Sequence, residues 1–521
     1  GQIAAALSAG NAVIAKPAES TSLIAYRASE LLIEAGIPVG LFQLCLGRGS
    51  QVGSYLSSSN KIAGVAFTGS TTVAKQIKQS LIDCGNLEAR VIAETGGLNA
   101  MVVDSTALCE QVTRDVIDGA FKSAGQRCSA LRILLLQDDC YDESISMISG
   151  AMRELGFGNP KHLDVDCGPV INSAAQIKLR NYIDKARQNN QVIEELDFES
   201  INGHFVSPTL IRLDSMDDIN EEFFGPVLHV LSYKNGDLEK TIDQLNSKGF
   251  GLTFGIHSRI DKKVKEISSR VNAGNIYINR NQIGAVVGSQ PFGGEGLSGT
   301  GPKAGGPNAL HGYSKNILCS EKSNHKIRFS DDPGKVQKLS SPSIQLSKEL
   351  LSAMKSEFSN IEEEFFEFLY QEVSRYSHDI SLPGPTGESN QLRYKPKGTV
   401  LCIGPKPDDL FKQTVLSLLL GNSVISQITR EDYDSLVALG FKKENIHRLN
   451  DSPSLSLVAS NAYNAVFYFG DSGSLQEIIM TSRSELIPLV SSIYEAWELL
   501  KEQVITEDTT ASGGNANLLA L

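Results

Sequence analysis

The sequence lacks several patterns that would define its class at once. It has 521 residues and eight cysteines, none of them in a Cys-X-X-Cys pair, which argues against a zinc site or a disulfide framework. No apolar run reaches the ~20 residues that a transmembrane helix needs. With 60 acidic and 48 basic side chains, the net charge of -12 argues against nucleic-acid binding over the chain as a whole. We therefore predict a reducing, cytoplasmic location, and leave open peripheral attachment of a longer parent protein to an inner membrane face.

What the sequence does contain is an alternation of short apolar runs and amphipathic stretches. Residues 11–15 and 65–67 are predicted to be buried strands, and residues 22–35 and 72–82 are predicted to be helices. Strands that alternate with helices predict a mostly parallel sheet covered on both faces. The fold class expected is therefore α/β.

The two ends of the chain share a repeated pattern. Three segments match in order and approximate spacing: residues 2–14 with 413–425, 34–44 with 438–448, and 63–70 with 464–471. A helical stretch is predicted for residues 346–373, and the polar residues 316–345 are a candidate linker. Three matches in register indicate a second, diverged copy of one fold unit. The chain opens with Gly1 in a helix-like segment, so we interpret it as a fragment that begins inside a domain.

The strongest chemical pattern combines a cysteine with a glutamate. Cys128 follows a helix-like segment, residues 109–124, and Glu94 precedes a glycine pair. A thiolate can attack a carbonyl carbon, and a carboxylate can later activate water. A lone cysteine is more often a small buried hydrophobic residue, so this pair is not decisive alone.

Two further motifs are typical of dinucleotide binding, each of them weak alone. Gly69 and Ser70 lie at a predicted strand-to-helix turn, where free backbone N–H groups can receive a phosphate. Lys16 and Glu19 follow a strand end, where ligands bind in open α/β sheets. The first hundred residues contain no Gly-X-Gly-X-X-Gly, so a conventional Rossmann phosphate loop is not expected.

Together these motifs resemble the aldehyde dehydrogenase superfamily. The matches occur in family order: AAALSAGNAVIAKPAE (4–19), AFTGST (66–71), ETGG (94–97), GQRCSA (125–130), EEFFGPV (221–227) and PFGGEGLSG (291–299). Three longer segments, 125–132, 279–307 and 509–521, resemble the glutamate-semialdehyde dehydrogenase half of the bifunctional proline utilisation enzymes. The other half of those enzymes is a flavin-dependent proline dehydrogenase.

The resemblance implies a role for each matching residue. The catalytic residues would be Cys128 as nucleophile and Glu94 as base. NAD would be bound by Lys16, Glu19, Gly69, Ser70, Glu222 and Phe224. The carboxylated aldehyde would be bound by Ser129, Gly284, Ala285 and Phe292. No metal is expected, and FAD is expected only in a proline dehydrogenase domain of the parent protein.

The resemblance also implies a domain order. Residues 1–96 would be part of an NAD-binding domain of truncated Rossmann-like fold, 97–315 the α/β catalytic domain, 316–345 a linker, 346–505 a degenerate aldehyde-dehydrogenase-like α/β domain and 506–521 a tail. In the second copy Gln427 replaces Lys16 and Asp471 replaces Ser70, and no cysteine follows Cys402. We therefore predict that this copy is not catalytic and covers an internal passage.

The predicted activity is NAD-dependent oxidation of L-glutamate γ-semialdehyde to glutamate, the second step of proline catabolism. Two alternatives stay open: an aldehyde dehydrogenase for another carboxylated aldehyde, and an inactive scaffold fragment. The resemblance further implies a homo-oligomer and contact with the proline dehydrogenase domain of the parent protein, and no nucleic acid bound through these residues.

Overall fold

Strands alternate with helices in three consecutive regions of the chain. The computed structural model of the protein describes residues 1–198, 202–314, 346–483 and 486–510. The first region contains helices α1 (Gln2–Ser8), α2 (Ser22–Glu34), α3 (Ser54–Ser57) and α4 (Thr71–Asp83), and strands β1 (Val13–Ala15), β2 (Phe42–Leu44), β3 (Gly64–Thr68) and β4 (Arg90–Glu94). The helix and strand positions predicted for this region are confirmed to within two residues.

The second region carries most of the largest sheet. Its helices are α5 (Cys109–Phe121), α6 (Tyr141–Arg153), α7 (Ser173–Gln188), α8 (Leu238–Ser247) and α9 (Asp261–Arg270). Its strands are β5 (Ala100–Val103), β6 (Ile133–Gln137), β7 (Val192–Glu195), β8 (Thr209–Arg212), β9 (Val227–Tyr233), β10 (Phe250–Gly251), β11 (Thr253–His257), β12 (Asn275–Ile278) and β13 (Glu295–Gly296).

The third region follows residue 345. Its helices are α10 (Lys348–Glu357), α11 (Glu363–Tyr376), α12 (Pro407–Leu419), α13 (Arg430–Ala438), α14 (Leu455–Val458) and α15 (Gly473–Ser482). Its strands are β14 (Ile380–Leu382), β15 (Glu388–Pro396), β16 (Thr399–Cys402), β17 (Ser423–Ser426), β18 (Ile446–Arg448), β19 (Ala465–Phe467), β20 (Leu489–Val490) and β21 (Leu500–Asp508).

The second and third regions share one ten-stranded sheet. Its order is β14-β15-β21-β12-β11-β5-β6-β9-β8-β7, and every pair from β21 to β8 is parallel. The mostly parallel α/β sheet predicted from the sequence is therefore confirmed. Strand β21 pairs with β12 of the second region on one side and with β15 on the other. It also runs three residues past position 505, where the sequence placed the start of the tail.

Side chains leave the sheet on alternate faces, as the two-residue period of a strand requires. In β5, Ala100 and Val102 belong to one buried apolar cluster, while Met101 and Val103 belong to the cluster on the opposite face. All four side chains are buried. The sheet is thus covered on both faces, and its loops at the carboxyl ends of the strands are held on a rigid base.

The strands of the first region differ from their prediction. They form two separate parallel pairs, β1 with β2 and β3 with β4, and their burial is only partial. Ile14 is 48% exposed. The prediction that residues 11–15 and 65–67 are buried strands is wrong in that respect, because both β1 and β3 line one cavity of about 1740 Å³.

The third region contains a five-stranded parallel sheet in the order β18-β17-β16-β19-β20. Segments aligned by the repeat occupy corresponding elements: α1 and β1 match α12 and β17, β2 matches β18, and β3 matches β19. In this sheet β16 lies between β17 and β19. In the first region the corresponding strands are β1 and β3, and both of them line the cavity. The correspondence supports the predicted repeat, and the origin of the second copy stays a prediction.

Two predicted helices differ in extent. Residues 346–373 form two helices, α10 and α11, because the chain turns at residues 358–362 to bury Phe358 and Ile361. The helix predicted for residues 109–124 ends at Phe121. Within the described ranges, no helix combines the length and the apolar character needed to cross a membrane.

Candidate active site

A strained turn presents Cys128 to the site. Helix α5 ends at Phe121, and Ser123, Ala124 and Gly125 then adopt positive φ values of 58°, 52° and 63°. Glycine is required at the third position, since a Cβ on Gly125 would lie 2.1 Å from the carbonyl oxygen of Gly225. The turn ends the helix and leaves Cys128 half-buried in the loop that follows.

A buried asparagine fixes the backbone of this loop. The Asn99 amide nitrogen donates to the carbonyl oxygens of Cys128 at 2.6 Å and Ala130 at 2.9 Å. The Asn99 side-chain oxygen accepts the Thr253 N–H at 3.1 Å, which ties the loop to β11. Sequence reasoning missed Asn99, although it lies two residues after the Glu-Thr-Gly-Gly motif.

Opposing influences act on the Cys128 thiol. Burial raises its pKa, and so do the nearby carboxylates of Glu94 and Glu222. The backbone N–H groups of Ser129 and Cys128 lower the pKa. The Glu94 carboxylate therefore lies close enough to Cys128 to raise the pKa of its thiol.

Glu94 lies at the carboxyl end of β4 with one oxygen held and one open. Its Oε2 accepts the Gly294 N–H at 3.1 Å. Its Oε1 is buried and has no hydrogen-bond partner among the described residues. Burial raises the pKa of Glu94 to about 8, while Lys303 and the Gly294 N–H lower it. An unpartnered carboxylate oxygen whose proton exchanges near neutral pH can serve as a general base.

Glu222 is paired with an arginine that sequence reasoning also missed. Arg132, only 1% exposed, donates from Nε and Nη2 to Glu222 Oε1 at 3.2 and 3.0 Å. The second oxygen, Oε2, accepts the Gly97 N–H at 3.2 Å. The Phe224 ring lies 5.1 Å from the Arg132 guanidinium carbon. Burial raises the pKa of Glu222, and Arg132 lowers it.

The other predicted cofactor residues lie in the first region. The Glu19 carboxylate accepts the Gly49 N–H at 2.6 Å just beyond β1, and that bond lowers the pKa of Glu19. Lys16 lines the cavity next to β1. Ser70 caps α4 by accepting the Val73 N–H at 3.3 Å, and the Gly69 N–H donates to the Glu94 carbonyl oxygen at 3.1 Å.

These groups fit a dinucleotide. An ammonium and a carboxylate at a strand end can bind ribose hydroxyls, and the N-terminus of the 13-residue helix α4 can receive a phosphate. Glycine at position 96 leaves room beside Glu222, because a Cβ there would lie 2.2 Å from its Oε2.

The predicted substrate residues come from two loops joined by Gln282. Gln282 lies two residues before Gly284, and its amide nitrogen donates to the Ser129 carbonyl oxygen at 3.3 Å. Gly284 is exposed and has φ +78°, and a Cβ there would meet nothing within 4 Å. Ala285 is half-buried, and Phe292 pairs through its backbone with Ala304. In the described part of the chain, no cluster of three or more histidine, cysteine or acidic residues could hold a metal ion.

Fold and site together define an α/β protein in which a glutamate carboxylate lies near a cysteine thiol. Residues of the first region that fit a dinucleotide belong to the same chain. The chain belongs to the aldehyde dehydrogenase family: residues 1–317 match the description "Aldehyde dehydrogenase family". This confirms the resemblance found from the motifs.

The chain is also similar to individual proteins within this family. The chain is 41% identical to "Bifunctional protein PutA" of Klebsiella aerogenes over 489 residues, which cover 92% of this chain and 37% of that protein. A mutant of Bradyrhizobium japonicum "Proline Utilization A (PutA)" has a solved structure that is 48% identical, with a TM-score of 0.59 over 60% of this chain and 32% of that chain. A Thermus "1-Pyrroline-5-Carboxylate Dehydrogenase" with bound NAD is 32% identical, with a TM-score of 0.55 over 58% and 59% of the two chains. The chain therefore spans less than half the length of the PutA relatives that it matches.

Proposed function

We propose that this chain catalyses the NAD-dependent oxidation of L-glutamate γ-semialdehyde to L-glutamate. The observation that carries the proposal is the Glu94 carboxylate, which keeps one buried oxygen unpartnered among the described residues and lies close enough to Cys128 to raise the pKa of its thiol. The names of the PutA and 1-pyrroline-5-carboxylate dehydrogenase relatives support the substrate.

The residues of the pocket divide the reaction into two halves. In the first, the Cys128 thiolate adds to the aldehyde carbon, and the oxyanion that forms lies beside the Cys128 N–H. NAD⁺, when bound, supplies the hydride acceptor. In the second, the Oε1 of Glu94 takes a proton from water, the water oxygen attacks the thioester carbon, and the thiolate leaves. The aldehyde hydrogen is thus removed as hydride, and the new carboxylate oxygen comes from water.

Residues at the rim would hold the two ligands. Lys16 and Glu19 would bind the adenosine ribose, Gly69 and Ser70 the pyrophosphate, and Glu222 and Phe224 the nicotinamide end, as the family resemblance implies. A carboxylate at Glu19 favours NAD over NADP, since it would repel a 2′-phosphate.

The carboxylate of the substrate would be bound by backbone. Gly284 and Ala285 are small, and their loop lets N–H groups approach an anion closely. Ser129 would assist, and Phe292 would pack on the aliphatic chain. The position of the Ser129 loop against Gln282 supports one continuous binding surface.

The wider assembly belongs to the same proposal. The relatives named as bifunctional support a proline dehydrogenase domain, with FAD, in the parent protein. We further propose a cytoplasmic homo-oligomer, and a third region that covers a passage between the two sites. Of the predicted tail, residues 506–521, the structure describes residues 506–510, and the rest of this prediction lies outside the described residues.

The test is a kinetic comparison of the chain without substitutions, called the parent in all experiments below, with two site variants. Glutamate γ-semialdehyde and propanal are offered with NAD⁺, and NADH formation is followed from the first turnover. Cys128→Ser is expected to lose all turnover. Glu94→Gln is expected to release about one NADH per site rapidly and then to stall, because its thioester is not hydrolysed.

Cys109→Ser is the matched control, since Cys109 is also half-buried but lies at the start of α5. It should keep parental rates. Turnover of propanal in preference to the semialdehyde would contradict the assigned substrate and favour another aldehyde. Absence of turnover with both aldehydes, in a folded chain, would favour the scaffold alternative.

A further inference from the structure

Lys303 is a buried cation that forms no ion pair with a carboxylate of the described residues. It is 3% exposed, and its ammonium donates to the Asn275 side-chain oxygen at 2.9 Å and, through a short bond, to the Gly293 carbonyl oxygen. The ion pairs found among the described residues do not include it. A buried ammonium bonded only to neutral oxygens is costly, so its charge is expected to act on groups nearby.

One peptide group connects this ammonium with Glu94. The Gly293 carbonyl accepts from Lys303, and the N–H at the other end of the same amide, that of Gly294, donates to Glu94 Oε2 at 3.1 Å. A cation on the carbonyl side polarises the amide and makes its N–H a stronger donor. Lys303 therefore stabilises the ionised form of Glu94 both by its field and through the amide.

The glycines make this approach possible. A Cβ on Gly293 would lie 2.9 Å from Glu94 Oε1 and 3.3 Å from the Lys303 Cα. A Cβ on Gly299 would lie 3.1 Å from the same oxygen. The amide can lie between the two charges only because neither position carries a side chain.

We propose that Lys303 is a positioning residue for Glu94, and that its charge, transmitted by the Gly293–Gly294 amide, sets the pH at which Glu94 becomes able to activate water. This inference rests on the proposed function, because it concerns the second half of that reaction.

Other charged groups face the two residues from several elements. On the lysine side are Glu295 in β13 and Glu502 in β21, whose Oε2 accepts the Lys303 backbone N–H at 2.7 Å. On the glutamate side are Cys128 and Tyr313. Burial lowers the pKa of Lys303, and Glu502, Glu295 and Glu94 raise it.

The two acidic groups on the lysine side are already engaged. Glu295 pairs with Lys501 at 3.4 Å, and Glu502 also accepts the Asn308 amide at 3.0 Å. The charge of Lys303 is therefore shared between these groups and Glu94, and removing it changes the field at Glu94 directly.

The experiment measures thioester hydrolysis against pH in Lys303→Met and Lys303→Arg. Hydrolysis requires ionised Glu94, so its rate rises with pH through the pKa of Glu94. Without the ammonium, that rise should move to higher pH by about one unit or more. Lys303→Arg keeps the charge, so the rise of its hydrolysis rate should lie near the parental pH. The formation of NADH in the first turnover should persist in both variants.

Lys397→Met is the matched control, because Lys397 is a half-buried lysine near Glu295 and Glu502 that makes no bond to Gly293 among the described contacts. Its pH profile should coincide with that of the parent. A uniform loss of rate in Lys303→Met, with the rise at its parental pH, would overturn the proposal and indicate a purely structural lysine.

A second measurement does not depend on turnover. The carbonyl stretch of protonated Glu94, isolated in infrared difference spectra against Glu94→Gln, should titrate at higher pH in Lys303→Met than in the parent. Equal titration in the two proteins would contradict the proposal. If the parent forms no NADH from the semialdehyde, the proposed function fails, and the infrared titration still decides the role of Lys303.

Discussion

The Arg132 guanidinium and the Glu222 carboxylate form an ion pair, with 3.0 Å between Nη2 and Oε1, directly beneath the Cys128 loop. The same guanidinium donates to the carbonyl oxygens of Gly125 at 2.7 Å and Arg127 at 3.1 Å. Arg132 thus holds together the backbone that carries the nucleophile and the carboxylate predicted to meet the nicotinamide ribose. A substitution that displaces the Cys128 loop is therefore expected to displace the Glu222 carboxylate, and a substitution at Glu222 is expected to displace the loop.

Removing this guanidinium should destabilise the fold. In Arg132→Met, Glu222 Oε1 and three carbonyl oxygens lose their partner, and breaking a buried pair typically costs about 3–5 kcal/mol. Arg132→Lys should recover little, because an ammonium cannot reproduce the planar set of five donors. Urea denaturation measures the loss. Arg153→Met is the control: its pair with Glu194 is solvent-exposed on the arginine side, and its loss should change stability by less than about 1 kcal/mol.

Glu94 should make stability depend on pH in an identifiable direction. Its pKa is about 8 in the folded chain against an ordinary value of 4.5, so the folded state binds the proton more tightly. The stabilisation is complete below about 4.5 and is lost as pH rises through about 8. Glu94→Gln cannot ionise, so its stability relative to the parent should increase between pH 5 and 8.5.

Denaturation midpoints of parent and variant over that pH range check this expectation. Glu221→Gln replaces the exposed carboxylate that pairs with Lys178. Its stability should run parallel to that of the parent. Parallel curves for Glu94→Gln as well would show that Glu94 ionises in the folded chain as it does in the unfolded one.

Gly125→Ala should disrupt the turn before Cys128. A Cβ there would meet the Gly225 carbonyl oxygen at 2.1 Å in a backbone conformation that L residues disfavour. We expect a lower melting temperature and slower alkylation or acylation of Cys128. Gly150→Ala, in the middle of α6 with open space around it, should instead stabilise by about 0.5–1 kcal/mol. Equal behaviour of the two variants would show that the turn is not strained.

The carboxylate loop can be tested with two glycines of matched conformation. Gly284 and Gly288 have φ values of +78° and +85°, and a Cβ on either would meet nothing within 4 Å. Both alanine variants therefore carry similar strain. Only Gly284→Ala should raise the KM for the semialdehyde, by about 10-fold or more if a hydrogen bond to a charged group is lost. The KM for propanal should change little, and an equal effect of both variants would remove Gly284 from the binding site.

The sequence predicts local structure well where the signal is local. The helix that precedes β1 and the strand-to-helix turn at Ser70 both follow from motifs of a few residues. The catalytic roles of Cys128 and Glu94 stay a prediction. Strand β21 could not be predicted in this way, because its partners β12 and β15 lie more than 100 residues away. Pairing over such distances is decided by tertiary packing.

The residues that were missed share one property. Asn99, Arg132 and Lys303 do not meet the substrate in the proposed mechanism; they bind backbone or the charged residues that do. Sequence patterns emphasise nucleophiles and glycine turns, whereas a buried polar side chain is recognised only when its partners are known. Asn99 lies two residues after a matched motif, and Arg132 and Lys303 lie inside the matched segments 125–132 and 279–307, which is the one signal that was available.

The pairing of β21 has a consequence for any attempt to divide the chain. Strand β21 contributes nine paired positions to β15 and four to β12, so the sheet continues across the boundary that the sequence suggests at residues 316–345. A protein expressed as residues 1–314 would expose the edge of β12 as a row of free N–H and C=O groups. Such an edge recruits strands from other molecules. Trimming the chain to its family-matched part would therefore yield a product that self-associates through this edge. Two fragments produced by cleavage between residues 316 and 345 would stay associated through β21 and β12 until denatured.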